Sequence, residues 1–593
     1  MDKDHLWDSS DEELSLIDSL YDATVLSRFE KTPHEFIPQG SFERIITIKT
    51  IQGALYEMMD EVDEALIYYI MNNARKLFAI TVLTRLERSE YLTLAMRLFR
   101  DHNFSDENLP IESPSISEDG QFDLSAHPLR RLGKLWSRAN IRTFCREQWQ
   151  LLAPIFSTDI TNLDLGEHII PFINDNDKAR QRSFGSVSRY TVHPDHMRGS
   201  AIDGKVVTTF DEYNRQFFDT IQALSNIVAV KEIEREHGHN WAAQAPALAQ
   251  LDTLNHDHIV RFITAFQCRL DGYEERYLMF EWADGGNLRD LWVSIPEPKL
   301  EPRLIKAALI QLKRLAEALN AAHYVKDGSS YRHGNLKPEN IWWFSDGTTL
   351  GKLKIGGWSE AKSPHVARKL WPKHGAAMYG ARLYEPPEVM TDIDPTFLRQ
   401  ATQRHSRLCD IWSMGCITLE FVVWLLYGVQ GLNEFNCSIQ GNSGVHSAFY
   451  RIPDRKNRHV AEVHDRVIHW MNFMSKDSAG RNRNGTKTAL GDVLAIVRDK
   501  LPVVEPPEPK HDRRSLAISR PQESDAAQNV GVPTITVTLA QSNEPVTPSQ
   551  IPTQMAQEPR TPTRDIAIEL SAYPTRRIMD SNTATVRITW SVP

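Results

Sequence analysis

The residues able to do chemistry gather in Tyr331-Arg-His-Gly-Asn-Leu-Lys-Pro-Glu-Asn340. Lys337 is a positive charge, and Asn335 and Asn340 present neutral amide oxygens. An amide takes up no proton at ordinary pH, so Asn335 cannot serve as a general base. A second cation, Lys231, ends the apolar run Ile227-Val-Ala-Val. A third stretch, Leu353-Lys-Ile-Gly-Gly357-Trp358-Ser359, has no side chain to offer at Gly357. A hard cation prefers carboxylate oxygens, and one amide at Asn340 is poor compensation.

Each of these groups needs an element to hold it. The apolar run before Lys231 reads as a strand end. Ile305, Leu309, Leu312, Leu315, Leu319 and Ala322 recur at helical spacing, so Ile305 to Val325 is expected as a helix leading into the 331–340 stretch. Cys416 to Leu426 is expected as a buried helix, too short to cross a bilayer.

In order and rough spacing these stretches resemble the motifs of the protein kinase family, including protein kinase domain-containing proteins of filamentous fungi. His333, Leu336, Lys337, Pro338, Glu339 and Asn340 match the catalytic loop H-R-D-L-K-P-E-N. Phe184-Gly-Ser-Val187 is similar to the end of the glycine-rich loop, and Ile227 to Lys231 to the V-A-I-K strand. Tyr277 to Leu288 resembles the hinge, Pro386-Pro-Glu388 the A-P-E anchor, and Cys409-Asp410-Ile-Trp412-Ser-Met-Gly415 a D-x-W-S-x-G helix start.

The resemblance implies an α+β, bilobal protein kinase-like fold with a small strand-rich lobe and a larger helical one. It implies roles as well. Lys231 would hold phosphates, and Gly185 would let the backbone approach them. Val187, Ala229 and Trp342 would line an adenine ring whose edge faces the backbone of Glu281 and Ala283, with Phe280 behind it. Lys337, Asn340 and Asn335 would stand in the catalytic places. Asp410 would hold the catalytic-loop backbone, and Glu388 would bridge Arg481 or Arg483. Phe262, Leu251, Trp358 and His333 would stack as a column.

The departures carry as much information. Gly334 and Asn335 replace the Arg and the catalytic Asp; Gly357 replaces the metal-binding Asp. Ala247 stands where a helix Glu would pair with Lys231, leaving Gln244 or Gln250 as neutral substitutes. Trp342 is bulkier than the usual Leu, and its indole is expected to stand in for the base. The resemblance therefore implies at most weak ATP binding, no magnesium site and a pseudokinase that binds or scaffolds protein partners in intracellular signalling. An active Ser/Thr kinase using a displaced carboxylate such as Glu360 or Asp346, or a metal-free nucleotide switch, is the alternative.

The 593 residues are 41% hydrophobic and 24% charged, enough for a sizeable core, and the net charge of −9 disfavours nucleic acid as a partner. Five cysteines without paired short spacing read as reduced intracellular thiols, cytoplasmic or nuclear, and no segment reads as a membrane span. Residues 1–103 are expected as an N-terminal helical region folding as its own unit, 104–130 as a flexible linker and 131–162 as a helical connector against the following domain. The kinase-like domain is assigned to 163–504, and the Pro-, Ser- and Thr-rich tail 505–593 is expected to be disordered, although 534–539 and 583–590 alternate like strands.

Overall fold

Apolar residues recurring at three- and four-residue steps in the N-terminal region lie on the helices Ile48–Tyr56, Glu64–Asn73 and Arg75–Leu83, followed by Glu90–Asp101. The computed structural model describes residues 15–56, 63–86, 90–113, 124, 127–158, 162–174, 181–182, 185–198, 226–234, 238–270, 272–325, 330–358, 383–386, 407–439, 449–451, 462–477 and 488–500, with strands at 534–540, 564–569 and 585–591. The chain divides into two compact units, Met1–Ala245 with Phe262–Trp282, and Pro246–Arg261 with Ala283–Pro593.

In the first unit, Leu55, Leu66, Ile70, Leu77, Ile80 and Leu83 are buried in one core, as their spacing requires. That core reaches further along the chain than the sequence implied. Ile111, Leu129, Trp136, Ile141 and Phe144 belong to it, with Phe104, Leu109 and Leu124 packed at its edge. The expectation of a flexible linker is thus corrected for the described part of 104–130. Its polar residues have a task that local composition does not reveal. The helix Arg75–Leu83 has no side-chain cap from Ala74, and the Asp106 carboxylate accepts the N–H groups of Lys76 and Leu77 at 2.9 Å each. The connector is corrected too. Its helix Arg138–Glu147 completes this helical core, while Trp149, Ala153 and Phe156 turn to the strand-rich part.

The strand-rich part is a sheet running, among the described residues, in the order Asn162–Asp164, Phe262–Leu270, Tyr273–Glu281, Ile227–Ile233, Gly185–Thr191, Gln181–Arg182. The first strand joins in parallel and the rest are antiparallel. The N-terminal helical region is tied into this sheet's core. Phe29, after the short strand Val25–Ser27, lies within 5.3–6.1 Å (ring centroids) of Phe172, Tyr190, Phe266 and Tyr277. Backbone bonds from Arg28 to Phe172 and from Ile37 to Gln150, both 2.7 Å, fix the segment beside it. The expectation that residues 1–103 fold alone is therefore corrected: part of the sheet's apolar filling comes from residue 29.

The second unit is mainly helical. In Pro302–His323 all six positions of the expected stripe are buried. Leu408–Ile439 is far longer than the expected buried stretch and kinks at Gly428. Its Cys409–Ile439 portion is long and apolar enough to cross a membrane, so length does not set it apart; 78% of its most apolar stretch is buried inside the protein. A small sheet of Gly286–Asn287, Ile341–Phe344 and Lys352–Ile355 sits beside these helices in sequence order and carries the candidate site. In the tail, Thr534–Ala540 and Arg564–Glu569 both pair antiparallel with Thr585–Ser591, so the two alternating stretches fall in strands.

Candidate functional site

The loop at 331–340 is held from inside by a buried carboxylate. Asp410 lies at the start of the Leu408–Ile439 helix and is 1% exposed. Its Oδ2 accepts the N–H of His333 and its Oδ1 that of Gly334, both at 2.8 Å, and His323 Nε2 donates to Oδ2 at 2.8 Å. Burial, the largest single influence, would raise the Asp410 pKa, but its hydrogen-bonding partners, His323 first and the Gly334 N–H among them, together hold the group below its ordinary value. The expected role of Asp410 is met. His323, which completes it, was not singled out from the sequence, because only the fold brings it to the loop.

His333 is fully buried. Burial lowers its pKa against the pull of Asp410, which keeps the ring neutral. Its Nε2 donates to the Gly356 carbonyl at 2.8 Å and its Nδ1 accepts the Asn335 N–H at 3.2 Å. The Trp358 ring stacks beside it at 4.9 Å, and the indole N–H donates to Ile355 at 3.1 Å. Two members of the expected column thus meet. Leu251 is buried, and Phe262, in the first unit, packs on Phe280 at 5.6 Å.

The catalytic positions come together without any carboxylate. Asn335 is half-buried, and its carbonyl accepts Asn340 Nδ2 at 2.7 Å. Asn340 is buried, and its own carbonyl takes the Gly356 N–H at 2.9 Å. Gly357 follows with φ +78°, a region that favours glycine. A Cβ added there would lie 2.9 Å from both Cγ and Oδ1 of Asn340. The space into which a metal-binding side chain would project is already taken by the Asn340 amide. Neither Asn340 nor Gly357 offers a carboxylate to a hard cation. Lys337 is half-buried just before the short turn Pro338–Asn340. Asp346, one candidate for a displaced carboxylate, accepts the N–H and hydroxyl of Thr348 at 2.9 and 2.6 Å on the exposed turn after Phe344; Glu360 lies outside the described residues.

Trp342 sits on the strand Ile341–Phe344, half-buried, opposite Asn287 on one side and Lys354 on the other. Its indole covers Gly356. A Cβ there would lie 2.5 Å from Cδ1 and 2.6 Å from Nε1 of the indole. Bulk added at 342 is thus matched by bulk removed at 356. Sequence reasoning noticed the Trp and missed the Gly; the only signal was two adjacent glycines after a strand.

The remaining candidates lie in the first unit, with Ala283 buried in the second. Ala229 and Lys231 alternate along Ile227–Ile233, and Val187 pairs directly with Lys231. All three are half-buried on one face, while Val228 and Val230 are buried in the core on the other. Glu281 ends the strand Tyr273–Glu281, and a bulge falls between Met279 and Phe280. Gly185 pairs antiparallel with Arg182, and Ser186 with Gln181. Ala247 lies in the helix Gly238–Asp252, which carries Pro246 in its interior. Of the substitutes expected for a Glu there, Gln250 accepts a hydrogen bond from the Tyr331 hydroxyl, and the Gln244 side-chain oxygen is buried without a hydrogen-bond partner. Glu388, Arg481 and Arg483 lie outside the described residues.

One charged cluster touches the loop unanticipated. Arg289 donates to Glu339 at 2.8 Å and lies 3.6 Å from the buried Glu420, whose other oxygen accepts the Tyr384 hydroxyl at 2.6 Å. It ties the Glu339 end of the loop to the long helix.

Comparison with known proteins agrees with this geometry. A family model of the protein kinase domain matches residues 218–475. Mitogen-activated protein kinase kinase kinase 4 of Mus musculus is 25% identical over 198 residues, 33% of this chain and 11% of that protein. CBL-interacting protein kinase 4 of Oryza sativa subsp. japonica is 28% identical over 196 residues, 32% of this chain and 37% of that protein. Cyclin-dependent kinase 8 of Drosophila melanogaster is 27% identical over 191 residues, 30% and 36% respectively. The chain spans less than two fifths of the length of each of these relatives.

Proposed function

Because this chain carries a protein kinase domain of the kinase-like superfamily, we propose that the domain works as a pseudokinase, a binding or scaffolding module for protein partners in intracellular signalling. One observation supports this reading above the others. The amide of Asn340 is folded onto the Asn335 carbonyl and fills the space beside Gly357, so the base position and the metal position are both without a carboxylate. A general base is worth about 10²–10⁴-fold in rate, and loss of an electrostatic stabiliser about 10²–10³-fold. Even one of these losses takes turnover far down, although such effects do not simply add.

What remains supports a scaffold. The loop is braced by Asp410, His333 and Trp358, groups that give rigidity and hold no substrate proton. The indole of Trp342, settled on Gly356, takes up the place the resemblance gives to the adenine floor, which favours weak nucleotide binding at best. The test is phosphoryl transfer from ATP by the full chain against a Lys231→Met control. Equal signals are expected. A metal-dependent rate abolished by Lys231→Met would overturn the proposal. Stabilisation by ATP without magnesium and without turnover would favour the nucleotide switch instead.

A further inference from the structure

Away from this loop, the helical unit carries a groove of about 520 Å³ lined by residues that include Tyr427, Gly431, Glu434, Arg466, Trp470 and Phe473. Its floor is aromatic. Ring centroids are 6.0 Å apart for Tyr427–Trp470, 5.7 Å for Tyr427–Phe473 and 6.1 Å for Trp470–Phe473. Phe473 is 54% exposed, unusual for a ring with so many aromatic neighbours. The polar ends of the other two are already used: the Trp470 indole donates to Ser438 at 3.1 Å and the Tyr427 hydroxyl to Asp477 at 3.0 Å. The rings are therefore fixed in orientation and present faces, which suits an apolar ring with little freedom to lose, such as proline.

The segment that follows the last helix beside the groove is of this kind in sequence. Helix Ala489–Lys500 is held beside the groove by Arg498, whose Nη2 donates at 2.8 Å to Asn472, the neighbour of Phe473. The next residues are Leu501-Pro-Val-Val-Glu-Pro-Pro-Glu-Pro509. Prolines at this density favour a polyproline II helix, which advances about 3.1 Å per residue, so the segment can cross a groove of this size. Its acidic residues, Glu505 and Glu508, match the exposed cation Arg466 in the lining of the groove. We propose that Pro502–Pro509 of this chain docks as a polyproline II strand on the Tyr427, Trp470 and Phe473 floor, with a glutamate against Arg466. The tail would then leave the domain from this groove.

A photoreactive phenylalanine analogue placed at 473 in the full chain tests this. Intramolecular crosslinks to residues 501–510 are expected in the monomer, and P506A/P507A/P509A should lower their yield about fivefold, the effect of roughly 1 kcal/mol. The same triple variant should speed amide exchange in 427–438 and 465–476 without changing the melting temperature. Crosslinks confined to a second copy or to another segment, no crosslink at all, or exchange unchanged by the three substitutions would each overturn the proposal. A proline-rich partner protein as the true occupant would give the last pattern together with capture of that peptide by the analogue.

Discussion

Restoring a carboxylate at position 357 is the obvious route to reviving a metal site, and the geometry predicts that it fails. In Gly357→Asp the backbone must keep φ near +78°. For a residue with a Cβ that costs about 1–2 kcal/mol, with Asp at the tolerant end. The new Cβ would start 2.9 Å from Cγ and Oδ1 of Asn340, closer than such contacts allow. Asn340 is buried and must swing away, giving up its 2.7 Å bond to Asn335 at a cost of about 1 kcal/mol. The sum is roughly 2–3 kcal/mol, or a melting drop of roughly 4–12 °C for a domain of about 250 residues. Thermal unfolding with and without Mg-ATP is the assay. The variant should melt lower and gain nothing from Mg-ATP. Gly357→Ala brings the same Cβ against Asn340 at the same positive φ and should lose a similar amount of stability. Adding Asn340→Ala to Gly357→Asp should cost less than the two single losses combined, because the overlap is then gone. A Gly357→Asp protein as stable as the parent and stabilised by Mg-ATP would refute the reasoning.

Trp342→Leu should uncover Gly356 and raise nucleotide affinity more than Gly357→Asp does; titration with a fluorescent ATP analogue reads this, and tight binding by the parent that the change leaves untouched would count against occlusion. Phe29→Ala should destabilise the strand-rich unit by about 3–5 kcal/mol, since four aromatic rings lose a partner; a shift under about 1 kcal/mol in urea unfolding would mean that residue 29 is dispensable. Acid should also weaken the fold. Burial holds His196 and His258 down to about 4, so the unfolded chain, with histidines near 6.5, takes up protons first as pH falls. Stability from these groups is complete above pH 6.5 and is lost progressively toward pH 4. For His196 the geometry agrees: Nε2 accepts the Gln39 N–H at 3.2 Å while Nδ1 faces the Pro154 carbonyl at 2.9 Å, which requires a neutral ring. Urea midpoints at pH 7.5 and 4.5 measure it, and an equal or higher midpoint at 4.5 would contradict the argument.

Much of the fold was legible because its signals are local. The stripe from Ile305 to Ala322 is buried as a helix face, and the apolar run before Lys231 is a sheet strand. Asp410 was legible as the loop's anchor because its motif places it at a helix start. The errors fell where distant residues supply the missing partner. Residues 104–130 look like a linker by composition, yet Asp106 caps a helix thirty residues earlier and Ile111 fills a core. Phe29 sits in a polar neighbourhood of sequence and is buried only because a sheet formed by residues more than a hundred positions away closes around it.

The sequence by itself determined what this protein cannot do at Asn335 and Gly357. Whether a group can take a proton or bind a hard cation is a property of its own atoms, and no fold turns an amide or a hydrogen into a carboxylate. Tertiary structure decided how the vacated space is used. Asn340 turning to Asn335 and Trp342 lying on Gly356 depend on volumes contributed by separate stretches of chain, and packing at interior density is settled only when those stretches meet.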